Sequence, residues 1–273
     1  MMADIVITDG EGIQRLCNQF ADDLRAELDA RWLAWPLDLE KHEVHETVGA
    51  LLARQVTLAR EIAQAPATWN WHVAPVLLRA MADVYITLAW ILEDPTERSR
   101  KFILYGLGQL KLQLEHRKAT LEEQGAGRES IQAAIEAHEA WINDQRFTFL
   151  TDVNLGSWSE TTTRKMAEEA GCLDFYNYVY QEFSAGTHSA WHHVGRYNLK
   201  DCGNPLHRHH RAPADPDLPR DLWILQLAGK YVAKAFDLFD AKMNVTLPRP
   251  SAVEKLFRGL EELANAAQEE TPE

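Results

Sequence analysis

Cysteine is scarce in this chain of 273 residues: Cys17, Cys172 and Cys202 stand far apart, with no C-x-x-C. An odd, scattered set excludes a disulfide framework and offers no paired-cysteine zinc site. A reducing compartment fits, and a cytoplasmic location is expected. The start, Met1-Met2-Ala3-Asp4-Ile5-Val6, has neither the basic residues, the apolar run nor the cleavage site of a secretory signal. Positive charge is short as well, since 28 Lys plus Arg face 41 Asp plus Glu for a net −13. Such a chain is repelled by DNA and anionic lipid unless a local basic patch reverses the field. Proline is missing between Pro95 and Pro205, which leaves room for long helices. Internal repeats and low-complexity tracts are lacking too, so a solenoid is not supported.

What the chain does have is apolar material, 46% of its residues. At this length roughly three quarters of the unfolded surface can be buried, so no disulfide or structural metal is needed for folding. Apolar residues recur at three- and four-residue steps in Val44, Val48, Leu51, Leu52, Leu58, Ile62 and again in Val253, Leu256, Phe257, Leu260, Leu263, which is the stripe of an amphipathic helix. Thr8 with Glu11, Ser157 with Glu160 and Ser251 with Glu254 match capping boxes, and Asp94-Pro95 marks another helix start. The pattern predicts helices at 10–32, 41–64, 73–93, 96–124, 128–146, 159–170, 173–199, 219–242 and 251–267. Gly125-Ala126-Gly127 reads as a turn, the proline-rich stretch 201–219 as a long loop, and no strand is expected. The expectation is an all-α, single-domain bundle of eight or nine helices over 1–267, most characteristic over 40–200, with a disordered acidic tail at 268–273.

The stretch WHVAPVLLRAMADVYITLAWIL, Trp71 to Leu92, is apolar around nearly its whole circumference and carries only Arg79 and Asp83 as charges. Two charges in mid-span cost about 2.5–3.5 kcal/mol each on insertion scales, so a central helix of the bundle is favoured over a membrane span. Four residues apart, Arg79 and Asp83 share a face and can pair. Burial still costs several kcal/mol per ion. A structural ion pair is one reading; a polar chamber in which Arg79 holds a phosphate or carboxylate is the other.

Aromatics and histidines crowd the segment from Tyr176 to His193, where a continuous helix would align Tyr180, Ser184, His188 and either His192 or Trp191. Such a stripe could face Arg79 and Asp83, with Ala185 and Gly186 allowing close approach. A Ser184/His188/Asp83 triad lacks the G-x-S-x-G context. His188, His192 and Asp83 could hold a divalent ion but lack the H-E-x-x-H spacing. Phosphodiester cleavage of RNA without a metal, His188 moving the proton and Arg79 steadying the phosphate, needs the fewest further parts. Tyr105 is a candidate for the same pocket, beside Gly106 and Gly108, which suggest close packing. His207-Arg208-His209-His210-Arg211 is the one basic patch, with Arg208 a candidate phosphate contact. His42 and His45 read as part of a solvated helix face. No cofactor or metal is expected.

The pattern Leu77-Leu78-Arg79-x-x-x-Asp83, then Phe102-x-x-Tyr105-Gly106, then Tyr180-x-x-x-Ser184-x-x-x-His188 resembles a family of bacterial all-helical proteins catalogued as a domain of unknown function, over roughly residues 40–200. That family more often has Glu at the position of Asp83. A looser similarity is to the HEPN superfamily of helical bundles, many of which are ribonucleases of toxin–antitoxin and phage-defence systems. Their hallmark is Arg and His four to six residues apart on one helix. Here Arg79 and His188 lie on different helices, and Arg208 directly precedes His209. The expectation is a nucleotide- or RNA-handling protein with Arg79, Asp83, Ser184 and His188 as its reactive set and Tyr105, Tyr180, His192 and Arg208 as substrate contacts. The alternative is a non-enzymatic interaction or scaffold protein. A homo-oligomer and a protein partner are expected alongside RNA or a nucleotide, and no membrane association.

Overall fold

The structure, a computed structural model, describes residues 10–123, 128–144 and 159–269. Four long helices make the body: α1 (Gly10–Ala34), α2 (His42–Gln64), α3 (Ala74–Ile91) and α10 (Trp223–Met243), with α11 (Ala252–Glu269) packed against α1 and α10. All five fall where the sequence predicts helices. α3 lies between α2, α8 (Gln181–Thr187) and α10, and its Leu78, Met81, Ala82, Ile86, Leu88 and Ile91 have no exposed surface. It is long and apolar enough to cross a membrane, yet 67% of it is buried in the bundle. Its apolar circumference therefore reflects helix neighbours on several sides.

α4 (Pro95–Glu123) and α5 (Arg128–Asn143) pack on each other around Leu114, Ile135 and Ile142, apart from the main core. The Gly125-Ala126-Gly127 turn lies outside the described residues. Capping follows the sequence where its chemistry is complete: Ser251 N–H donates to Glu254 Oε2 at 2.7 Å and Glu254 N–H to Ser251 Oγ at 3.2 Å. Thr8 and Ser157 lie outside the described residues. Glu160 is not helical but has φ 55°, and α6 (Thr163–Glu169) starts later, capped by the Thr162 side chain on Lys165 N–H. At the other end α11 continues to Glu269, and residues 270–273 of the expected tail lie outside the described residues.

Two expectations fail in the last third. The helix predicted over 173–199 is four pieces: α7 (Leu173–Phe175), a π-helical turn at Tyr176–Tyr180, α8, and α9 (Trp191–Tyr197). The break falls at Ser189, whose φ of 51° is left-handed and ends the helix. Strands also occur. β1 (Leu199–Asp201) pairs antiparallel with β2 (Arg211–Pro213), so the expected loop is a hairpin held by backbone bonds that no side-chain alternation announces.

All three cysteines are free. Burial pushes the Cys17 thiol up to about 11, which makes it an inert core residue.

Candidate functional site

Arg79 enters the site from below. Its helix turns it toward α8, where it is 8% exposed and the guanidinium carbon sits 3.2 Å from the centre of the Tyr180 ring. Nη1 donates to the Asp83 carboxylate one turn on. No other hydrogen bond engages the guanidinium among the described residues, and Nε is buried without a partner. Tyr180 is itself fixed: its hydroxyl donates to Thr163 Oγ1 of α6 at 3.3 Å, and its ring stacks on Tyr176 at 4.7 Å. The π-helical turn makes this possible by shifting the register of the aromatic side chains, and such turns recur at functional sites.

Asp83 is the exposed partner. Its side chain is 49% accessible, so the expected pair of fully buried charges is corrected to a buried cation beneath a rim carboxylate. Contact with the protein on its inner side raises its pKa above the ordinary 3.8; Arg79, by charge and hydrogen bond, and the charge of His188 pull it back. His188 caps the C-terminus of α8, where its N–H donates to Ser184 O at 3.0 Å. It is exposed and close enough to act on Asp83 electrostatically, without a hydrogen bond between them among the described residues.

Gly186 explains how α8 comes so near. A Cβ there would stand 2.6 Å from Pro75 Cβ and 3.1 Å from His193 Cε1, so only glycine admits the first turn of α3. His193 is held below the usual 6.5, first by burial, then by the charges of His72 and His192. Its ring lies 4.9 Å from Tyr197, and His72 Nε2 is 3.0 Å from Pro216 O, so these histidines anchor α9 and the following loop.

Of the expected set, Arg79, Asp83, Tyr180 and His188 come together around α3 and α8. Ser184 is half-buried on α8, with its carbonyl spent on His188 N–H. His192 does not extend the stripe, because the helix ends at Thr187 and His192 belongs to α9. Tyr105 on α4 and Arg208 in the β1–β2 loop make no hydrogen bond, ion pair or ring contact with the cluster among the described residues. Gly106 faces open space, so the close packing expected there does not occur. An open cleft of about 450 Å³, lined by Tyr85, Lys230, Lys234, Asp237 and Phe257, contains none of the four clustered residues.

Two polar features escaped the sequence reading. His45, expected on a solvated face, is buried between Trp32 at 3.9 Å and Trp35 at 4.3 Å. Arg31 of α1 is 5% exposed, takes both oxygens of Asp240 at 2.8 and 2.9 Å, holds Glu27 at 3.1 Å and lies over Phe236. Nothing local in the sequence reveals a partner 209 residues away.

Residues 45–205 match a family described as a family of unknown function, DUF5677. The chain belongs to DUF5677. The matched span covers α3 through β1 and so contains Arg79, Asp83, Tyr180 and His188 in one unit. Neither curated proteins nor solved structures yield a match.

Proposed function

We infer that this DUF5677 protein handles single-stranded RNA or a nucleotide and cleaves a phosphodiester bond without a metal, with His188 as the proton-moving group. The observation that carries the reading is a buried guanidinium, bound to one carboxylate and left with an unpartnered Nε, holding that carboxylate at the surface beside an exposed histidine. Comparison with Arg31 sharpens it. Arg31 meets two carboxylates and is closed, as a structural ion pair requires, whereas Arg79 is under-paired.

Its burial changes the role first expected of Arg79. A guanidinium covered by Tyr180 does not meet a phosphate directly; it positions Asp83 and keeps a positive field under the rim. His188, exposed beside that carboxylate, is placed to move a proton to or from a bound phosphodiester. Exposed groups suited to an unpaired strand are present: Tyr178 and Trp191 are 79% and 74% exposed and offer faces for stacking, while Arg196, Lys200 and Arg208 are exposed cations on α9, β1 and the loop after it.

The test is cleavage of an end-labelled, unstructured RNA in the presence of a chelator. Cleavage by the wild-type protein that falls at least about 100-fold in His188→Ala, with an unchanged melting temperature, supports the reading. Absence of cleavage, or cleavage indifferent to His188, sinks it. The second reading is a non-enzymatic interaction protein, favoured by exposed Trp32, Leu33, Leu37 and Leu39 at the α1–α2 junction. It predicts a self-association that Leu33→Asp abolishes.

A further inference from the structure

The hairpin loop offers a second, separate centre. Between β1 and β2 the chain folds tightly: Cys202 N–H donates to His210 O at 3.4 Å, His207 N–H to Asn204 O at 3.0 Å, and His210 N–H to His207 O at 3.0 Å. Left-handed φ angles at Gly203 (74°) and His209 (65°) turn the loop back on itself. The result brings Cys202 Sγ and one ring nitrogen each of His207 and His210 within 4.8 Å of one another. Cys202 Sγ and His207 Nδ1 are 3.7 Å apart. A tetrahedral zinc ion, with bonds of about 2.3 Å to sulfur and about 2.0–2.1 Å to nitrogen, sets its sulfur and nitrogen ligands about 3.5 Å apart. The cluster is thus near ligand spacing already.

We propose that Cys202, His207 and His210 bind a divalent transition-metal ion, zinc by preference, with a fourth position left to water. One thiolate and two imidazoles are a borderline-soft donor set, which suits zinc and excludes the oxygen-seeking magnesium and calcium. The hairpin holds the ligands in place: Arg211 Nη1 donates to Gly195 O at 3.1 Å and Ala214 N–H to Asn198 O at 2.9 Å, tying β2 and the residue after it to α9 and its C-cap. Asn204 stands behind His207, its side-chain amide 3.2 Å from Nε2. With the ion on Nδ1 the proton resides on Nε2, and Asn204 turns its carbonyl to accept it, the outer partner that orients a metal-bound histidine. Leu206 N–H, which now donates to Asn204 Oδ1, belongs to a residue 90% exposed and passes to water. The paired-cysteine test applied to the sequence misses this mixed set because only one ligand is a cysteine.

The proposal is independent of the chemistry at His188. It is tested on the full chain, stripped by chelator and titrated with cobalt(II), then with zinc against a chromophoric indicator. One equivalent of cobalt should give tetrahedral visible bands and a thiolate-to-metal charge-transfer band, both displaced by zinc. Cys202→Ser should abolish the charge-transfer band, and His207→Ala and His210→Ala should each weaken zinc at least about tenfold. The ligands lie in a surface hairpin, so the melting temperatures of the stripped variants should match the wild type. A wild-type protein without a thiolate band, a band that survives Cys202→Ser, or zinc affinity indifferent to His207 and His210 overturns the proposal.

Discussion

Arg79 and Arg31 show how the same side chain serves two ends. Bidentate pairing with Asp240 and a second carboxylate engage all three nitrogens of Arg31, and its loss would strand Asp240 while Glu27 keeps the Ala252 N–H. Arg79 instead supports a carboxylate whose proton affinity is raised by burial more than its partners lower it. That shift has a sign in stability. Between the ordinary 3.8 and its higher folded value, Asp83 binds more protons folded than unfolded, so its stabilisation is full below 3.8 and is lost as pH rises through the folded value. Wild-type stability in urea should therefore fall relative to Asp83→Asn as pH increases across that window. A gap that widens in favour of the wild type would reverse the assigned shift. At this scale the sequence was partly legible: the spacing of Arg79 and Asp83 gave their pairing, but not that one would be covered and the other open. His45 misled because an imidazole can be buried between indole rings, and its polarity label says nothing of that.

Among the elements, α8 decides whether the site exists. It is only seven residues long, and its placement depends on Gly186 meeting Pro75 and on the π-helical turn that swings Tyr180 over Arg79. Gly186→Ala places a methyl group 2.6 Å from a proline ring carbon that cannot swing aside. The expected cost is about 1–3 kcal/mol, read by urea unfolding, with loss of any His188-dependent activity as α8 shifts. A variant as stable as the wild type would show that the two helices are not so closely fitted. Helices with long apolar stripes were legible because their period repeats over many turns. The break at Ser189 was not, since a serine at positive φ leaves no composition signal of the kind a glycine or proline does. The β1–β2 hairpin was hidden for a related reason, because three-residue strands rest on backbone pairing alone.

For the whole molecule, charge and shape bear on what it can bind. For a chain of net −13, any affinity for a polyanion would rest on a local field, and exposed Arg196, Lys200 and Arg208 stand on α9, β1 and the loop between the strands. The apolar α3 forms the wall of this arrangement instead of a membrane anchor, because α2, α8 and α10 cover it. The most direct test is the affinity of a fluorescent, unstructured RNA for the cleavage-silent His188→Ala protein, with and without the added pair Arg196→Ala and Lys200→Ala, both exposed cations. Saturable binding that weakens at least about tenfold when the two charges are lost, at a melting temperature that changes little, is the expected result. Equal affinity in the two proteins, or no binding by either, would contradict it.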